Sequence, residues 1–267
     1  MIKSFVKKTL VNALPQKILH PRSRSFIFIY HDVSDPSESH YWEGYSTKRE
    51  VFQKQIDSLS SLVEWVTLEE LLAGDSDSQK HRAALTFDDG FSSVYHSVRP
   101  FLGSRSIPFS VFVNKSAMVN DELNNGPNES LIRGSNGKRL FMNEGEVQQL
   151  RRSGVTVGSH TSSHLSLSNC SDSQLESEIR SNKDYLDSLL SQETTHISLP
   201  YGKKRHYNGK VLDTCRRAGH QFIYSSNPVP YQGNSEESLI PRIGLTNESP
   251  KDVLYLINRT RFQSIDI

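Results

Sequence analysis

Ala83-Ala84-Leu85-Thr86-Phe87-Asp88-Asp89-Gly90 is an apolar run that stops on two carboxylates and a glycine. It is short and lacks polar alternation, as expected of a strand covered on both faces of a parallel sheet. Parallel α/β folds place their ligand-binding groups at the carboxyl ends of such strands, where Asp88 and Asp89 stand. Alone, Asp-Asp-Gly reads first as a turn, because Asp stabilises local bends and Gly accepts positive φ.

A second run, Val155 to Gly158, ends in the same manner on Ser159-His160-Thr161-Ser162-Ser163-His164. Two imidazoles four residues apart in one turn of helix-like backbone can converge on one cation, each neutral ring offering a lone pair. The spacing alone can be coincidence among ten histidines; its position after a strand is what raises its weight.

Further candidate strands are Phe26 to Tyr30, Val63 to Thr67, Phe109 to Val113, His196 to Leu199, Gln221 to Tyr224 and Leu239 to Ile243. Between them lie helical patterns with start signals. Thr47 with Glu50 reads as a capping box ahead of Phe52, Ile56, Leu59 and Leu62, and Asn143 with Glu146 has related chemistry. Leu175, Ile179, Leu186 and Leu189 mark a third helix, and Ser249-Pro250 opens the last. So many β-α alternations in one modest chain predict a parallel sheet rolled into a closed or nearly closed (β/α) barrel. Residues 114–139 and 228–237 read as irregular excursions that either shape a substrate groove or lie in solvent.

The chain has 267 residues, with 31 Lys plus Arg against 30 Asp plus Glu. That balance gives no long-range pull toward nucleic acid, so a substrate must be recognised locally. Cys170 and Cys215 lack metal-ligand spacing and read as ordinary thiols. Residues 1–24 form a basic extension in which Phe5, Val6, Leu10 and Leu14 make one side of an amphipathic helix ending near Pro15. That helix packs on the domain or touches a membrane surface. No run is apolar enough for a transmembrane segment or a secretory signal, so the expectation is a cytoplasmic protein or one peripheral to the membrane.

Together, Thr86-Phe87-Asp88-Asp89-Gly90, Ser159 to His164, and Leu199-Pro200-Tyr201-Gly202 resemble, in order, the motifs of the polysaccharide deacetylase family, also called NodB-homology or carbohydrate esterase family 4. Tyr30-His31-Asp32-Val33 is similar to the opening of the bacterial branch that includes poly-N-acetylglucosamine deacetylases, and Met142 to Gly158 resembles the family's approach to the His motif. The resemblance runs from about Phe26 to the last helix and implies a distorted (β/α) barrel over residues 25–267. It implies a divalent metal on Asp89, His160 and His164, and a ligand set of one carboxylate and two imidazoles suits Zn2+, with Ni2+ or Co2+ as alternatives. By the same resemblance Asp88 is the general base, the Tyr201 N–H stabilises the oxyanion, and Pro200 and Tyr201 border the substrate. The substrate class implied is an N-acetylated glycan of the GlcNAc type.

Two features depart from the family pattern. The Arg expected two residues before Pro200 is Ser198, so the base lacks its usual tether; Arg242 either supplies that cation or is a surface Arg on the rim. The late Leu-x-His motif, whose His protonates the leaving amine, is missing. His31 is the candidate acid or substrate contact, against a purely structural role. The competing functions are an O-acetyl esterase or amidase of the same superfamily and a carbohydrate-binding homologue without catalysis.

Overall fold

The computed structural model describes residues 24–38, 45–74, 80–125, 130–133, 138–233 and 239–259. The basic extension and its candidate helix fall outside this set, apart from Arg24.

Among the described residues eight strands form one parallel sheet: β1 Ser25–Tyr30, β2 Val63–Trp65, β3 His81–Phe87, β4 Ser110–Val113, β7 Thr156–Ser159, β8 His196–Ser198, β9 Phe222–Tyr224 and β10 Ile243–Gly244. Their order is β10-β1-β3-β4-β7-β8-β9, with β2 beside β3. β1 runs along one edge of β3 from Arg82 to Phe87, while the other edge takes β2 at its start and β4 at its end. The curled sheet is the distorted (β/α) barrel expected from the alternation. Its strands are buried on both faces, with Phe26, Phe28, Leu85, Val111 and Val113 in a large cluster and Ile27, Ala84, Phe112 and Tyr224 in a second. This is why the apolar runs do not alternate.

The helices follow from their caps and apolar stripes, with one correction. Asn143 and Glu146 form a reciprocal capping box before Glu144–Arg152, and Ser249 Oγ accepts the Asp252 N–H at the start of Pro250–Arg259. Thr47, in contrast, does not cap the helix Arg49–Ser60; its N-cap is Lys48. Thr47 instead bridges Val33, donating its N–H to Asp32 and accepting from Ser34 N, so tertiary pairing claims it first. Thr67, placed at the end of a predicted strand, is itself the cap of Leu68–Ala73, boxed with Glu70.

Two further expectations change. The excursion 114–139 contains a short helix, Lys115–Asn120, and strands β5 Glu122–Asn125 and β6 Ser130–Arg133, which pair antiparallel. The strand predicted over Leu239 to Ile243 is split at Pro241, which has no N–H to donate to a ladder. Ile240 bridges Tyr224 at the end of β9, whereas Ile243 pairs with Phe28 on β1. This segment therefore spans the seam between the two sheet edges and leaves Arg242 inside the barrel, 1% exposed.

Candidate metal centre and active site

Asp88 and Asp89 leave β3 at its carboxyl end, and His160 and His164 lie on the loop that leaves β7. That loop is irregular, not the helix-like turn expected from the four-residue spacing; Thr161 and His164 have φ of 66° and 62°. Asp89 at 70° and Tyr201 at 61° are also left-handed. Such backbone is costly for non-glycine residues and persists where surrounding contacts over-determine it. Those contacts are visible. Asn114 Nδ2 donates to the carbonyls of His160 and Thr161, and Asn182 Nδ2 donates to Val113 O and Ser159 Oγ. Glu178 accepts from both Ser163 N and Ser163 Oγ. Asn182 and Glu178 come from the long helix Asp172–Leu190, whose apolar face was legible and whose inward polar residues were not.

One oxygen of Asp89, Oδ1, lies 3.2 Å from His160 Nε2 and 3.4 Å from His164 Nε2. Each ring presents its other nitrogen to a backbone carbonyl: His160 Nδ1 is 2.8 Å from Ser198 O, and His164 Nδ1 is 3.0 Å from Asn124 O. A carbonyl only accepts, so each Nδ1 carries a proton, and each Nε2, once it holds none itself, turns a lone pair toward Asp89. Asp89 Oδ1 is buried and has no hydrogen-bond partner among the described residues. Three electron-rich atoms facing one another in a buried place make sense around a cation. Tetrahedral bonds of about 2.0–2.1 Å put adjacent donors roughly 3.3 Å apart, which is the spacing of Asp89 Oδ1 from each ring, and all three donor atoms lie within 4.8 Å of one another. The trio fits a small divalent metal.

Protonation agrees in part. Burial pushes His164 down to about 4, against the pull of Asp89, so that ring is neutral at pH 7. Burial also pushes His160 down, but Asp88 and Asp89 outweigh it and its pKa ends raised, so a metal must displace a proton there.

Beside this trio, Arg242 grips Asp88 with both arms, Nη1 to Oδ1 at 2.9 Å and Nη2 to Oδ2 at 2.7 Å. Ser198 Oγ donates to Asp88 Oδ2 at 2.9 Å and accepts from Arg242 Nη2 at 2.5 Å. The small side chain at the position where an Arg was expected thus joins a tether that enters from the seam. The guanidinium packs against the adjacent rings of Phe112 and Tyr224, 5.1 and 5.6 Å from their centroids. Burial raises the Asp88 carboxyl, yet Arg242, His160 and His31 together hold it well below the usual carboxylate range.

Breaking this pair from one side should be costly, because the remaining charge stays buried. Arg242→Met is expected to destabilise the fold by about 3–5 kcal/mol, and adding Asp88→Asn should recover most of that. Denaturant midpoints of the single and double variants check it. A single variant as stable as the wild type would show that Asp88 finds another counter-charge.

His31 is half-buried at the end of β1, its ring 4.6 Å from that of Tyr45, within electrostatic range of Asp88, Asp89 and His164. Its neighbour Asp32 is engaged structurally, accepting from Ser34 Oγ and, at 2.7 Å, from Ser93 Oγ. Tyr45 was missed by the sequence reading, since it lies on a connection with no motif; its hydroxyl donates to Asp89 Oδ2. Buried Pro200 leads into Tyr201, whose ring is 4.7 Å from that of His164. Ser226 holds this turn, donating its N–H to Gly202 O and its hydroxyl to Tyr201 O. Gly202, at φ 57°, cannot carry a side chain: a Cβ would lie 2.4 Å from Ser226 N.

A family model described as polysaccharide deacetylase matches residues 75–223, more than half of the chain. The peptidoglycan-N-acetylglucosamine deacetylase of Bacillus cereus is 28% identical over 123 residues, covering 45% of this chain and 55% of that protein. The chain spans about half the length of the curated relatives it matches. Among solved structures, the Streptococcus pyogenes deacetylase PplD, in complex with acetate, superposes with a TM-score of 0.69 at 19% identity, covering 88% of this chain and 97% of that one. IcaB from Ammonifex degensii gives 0.66 at 22%, with the same coverage. These likenesses are to the barrel fold.

Proposed function

The chain belongs to the polysaccharide deacetylase family, and from that premise we propose that it hydrolyses N-acetyl groups on a GlcNAc-type glycan, using a divalent metal held by Asp89, His160 and His164, with residues 25–267 as the catalytic domain. The observation that carries this reading is the convergence of two imidazole Nε2 atoms on the buried Asp89 Oδ1, with a second carboxylate, Asp88, ionised alongside. Zn2+ suits the donor set best; when bound, such an ion polarises a carbonyl oxygen and lowers the pKa of water.

The chain's own residues do the rest. Asp88 accepts the proton of the attacking water, and Arg242 and Ser198 keep its carboxylate charged and oriented. The Tyr201 N–H faces the developing oxyanion from a turn fixed by Ser226, and buried Pro200 shapes the wall beside it. His31 lends a proton to the departing amine from the rim of β1. The bacillary relative's name points to N-acetylglucosamine, which supports the choice of sugar.

Acetate release by metal-loaded protein from chito-oligosaccharides, acetylated xylan and small acetamides, run side by side, tests this. Release from the chito-oligosaccharides is expected to dominate. Release confined to xylan makes the protein an O-acetyl esterase; none from any substrate, with sugar binding retained, makes it a binding protein. Among the described residues no helix is long and apolar enough to cross a membrane.

A further inference from the structure

The turn that leaves β8 carries more than Tyr201. It continues through Lys203, Lys204 and Arg205, all exposed, into His206, on the same rim as Asp89 and His160. The His164, Tyr201 and His206 rings form a ladder with centroid steps of 4.7 and 4.6 Å. The cations therefore begin two rings from the candidate metal ligands.

The turn is held in place. Ser168 Oγ donates to Arg205 O at 2.8 Å, and Ser166 Oγ lies 2.8 Å from His206 Nδ1. Arg205 Nε donates to His206 Nε2, which requires that ring to be neutral. Burial, then the charges of Arg205 and Lys203, depress the His206 pKa to the same effect. Among the described residues none of the three cations forms an ion pair. The acids of the neighbouring helix are engaged elsewhere, Asp172 with Lys210 and Glu176 with Arg180 and Arg217. In a chain of net charge +1, this concentration is local. Three successive like charges repel one another, a cost that a bound anion relieves.

We infer that Lys203, Lys204 and Arg205 form an anion subsite, with the Tyr201 and His206 rings as the platform leading to it, so that the substrate is an anionic glycan bearing a carboxylate or phosphodiester next to its N-acetylated sugar. This rests on the deacetylase reading and narrows its substrate. A carboxylate or phosphate oxygen takes charge-assisted hydrogen bonds from such side chains, while the adjoining sugar lies on the rings. The acetamide then points toward Asp88 and the metal ligands.

The test compares three probes: neutral chitotetraose, a tetrasaccharide of alternating glucuronate and N-acetylglucosamine, and an N-acetylglucosamine oligomer joined by phosphodiesters. kcat/KM for acetate release and calorimetric binding are both read, for the metal-loaded wild type and for Lys203→Gln/Lys204→Gln, which leaves the Arg205–His206 contact in place. At low ionic strength the wild type should prefer one or both anionic probes. The double variant should reduce that preference about tenfold through KM, as expected for losing two solvent-facing charges. Salt near 1 M, where the screening length is about 3 Å, should reduce it similarly. Whichever probe loses most identifies the anion. A preference ratio unmoved by both variant and salt overturns the inference while leaving the deacetylase reading intact. Absence of acetate from every probe sinks the deacetylase reading instead, and the binding ratio still decides this one.

Discussion

Asp88→Asn should lower acetate release by about 10²- to 10⁴-fold while metal content stays stoichiometric, the loss expected when a positioned general base is removed. The substitution keeps the shape of the side chain and removes its ability to accept a proton. Metal content should survive because the converging donors are Asp89 Oδ1 and two imidazole nitrogens, with the nearest Asp88 oxygen 4.0 Å from His160 Nε2. The same change strands Arg242 in a buried position, so stability must be followed in parallel. The Asp88→Asn/Arg242→Met protein separates the two effects: its fold should recover, its turnover should not. Rates measured well below the unfolding transition, with metal analysis on the same samples, make the comparison. Full turnover in a metal-replete Asp88→Asn protein would remove Asp88 from the chemistry.

The second large effect concerns the metal ligands. The His160→Ala/His164→Ala variant is expected to lose stoichiometric metal, and with it the rise in Tm that metal gives the wild type. A ligand at about 100 times its Kd adds about 2.7 kcal/mol of stability, all of which should vanish. The pH dependence has a definite sign. Burial alone would lower the His160 pKa, but the two aspartates raise it, so protons compete with metal there and wild-type affinity should fall as the pH falls. In metal-free protein the raised pKa works the other way. Its stabilisation is complete below the unfolded-state histidine value and is lost as pH rises through the folded value. The metal-induced gain in Tm should therefore grow toward alkaline pH. Stoichiometric metal in the double variant would place the site elsewhere.

The signals that reached the sequence reading share a physical origin. Strand-end motifs are contiguous in the chain, and a buried parallel strand announces itself by an unbroken apolar run, so the positions of Asp88, Asp89, His160 and His164 at a common rim followed from local pattern. What escaped it depends on partners far apart in sequence. Thr47 has the residue type of a cap but is taken by Val33 and Asp32. The His160–His164 spacing suggested a helical turn, whereas Asn114, Asn182 and Glu178 hold that loop in strained, non-helical backbone.

Arg242 marks the boundary between the two kinds of information. Its place in the chain, after Pro241 and beside a weak strand, was compatible with a surface position as much as with a tether. A parallel α/β barrel and the chemistry-bearing groups at its strand ends are legible in the chain, because both are written in residue type and period along one stretch of it. That Arg242 reaches Asp88, that Ser198 joins them, and that Tyr45 meets Asp89 depends on contacts between distant parts of the chain. Those pairings come from closing the sheet across its seam and neutralising charge among buried side chains. No local periodicity encodes such a choice.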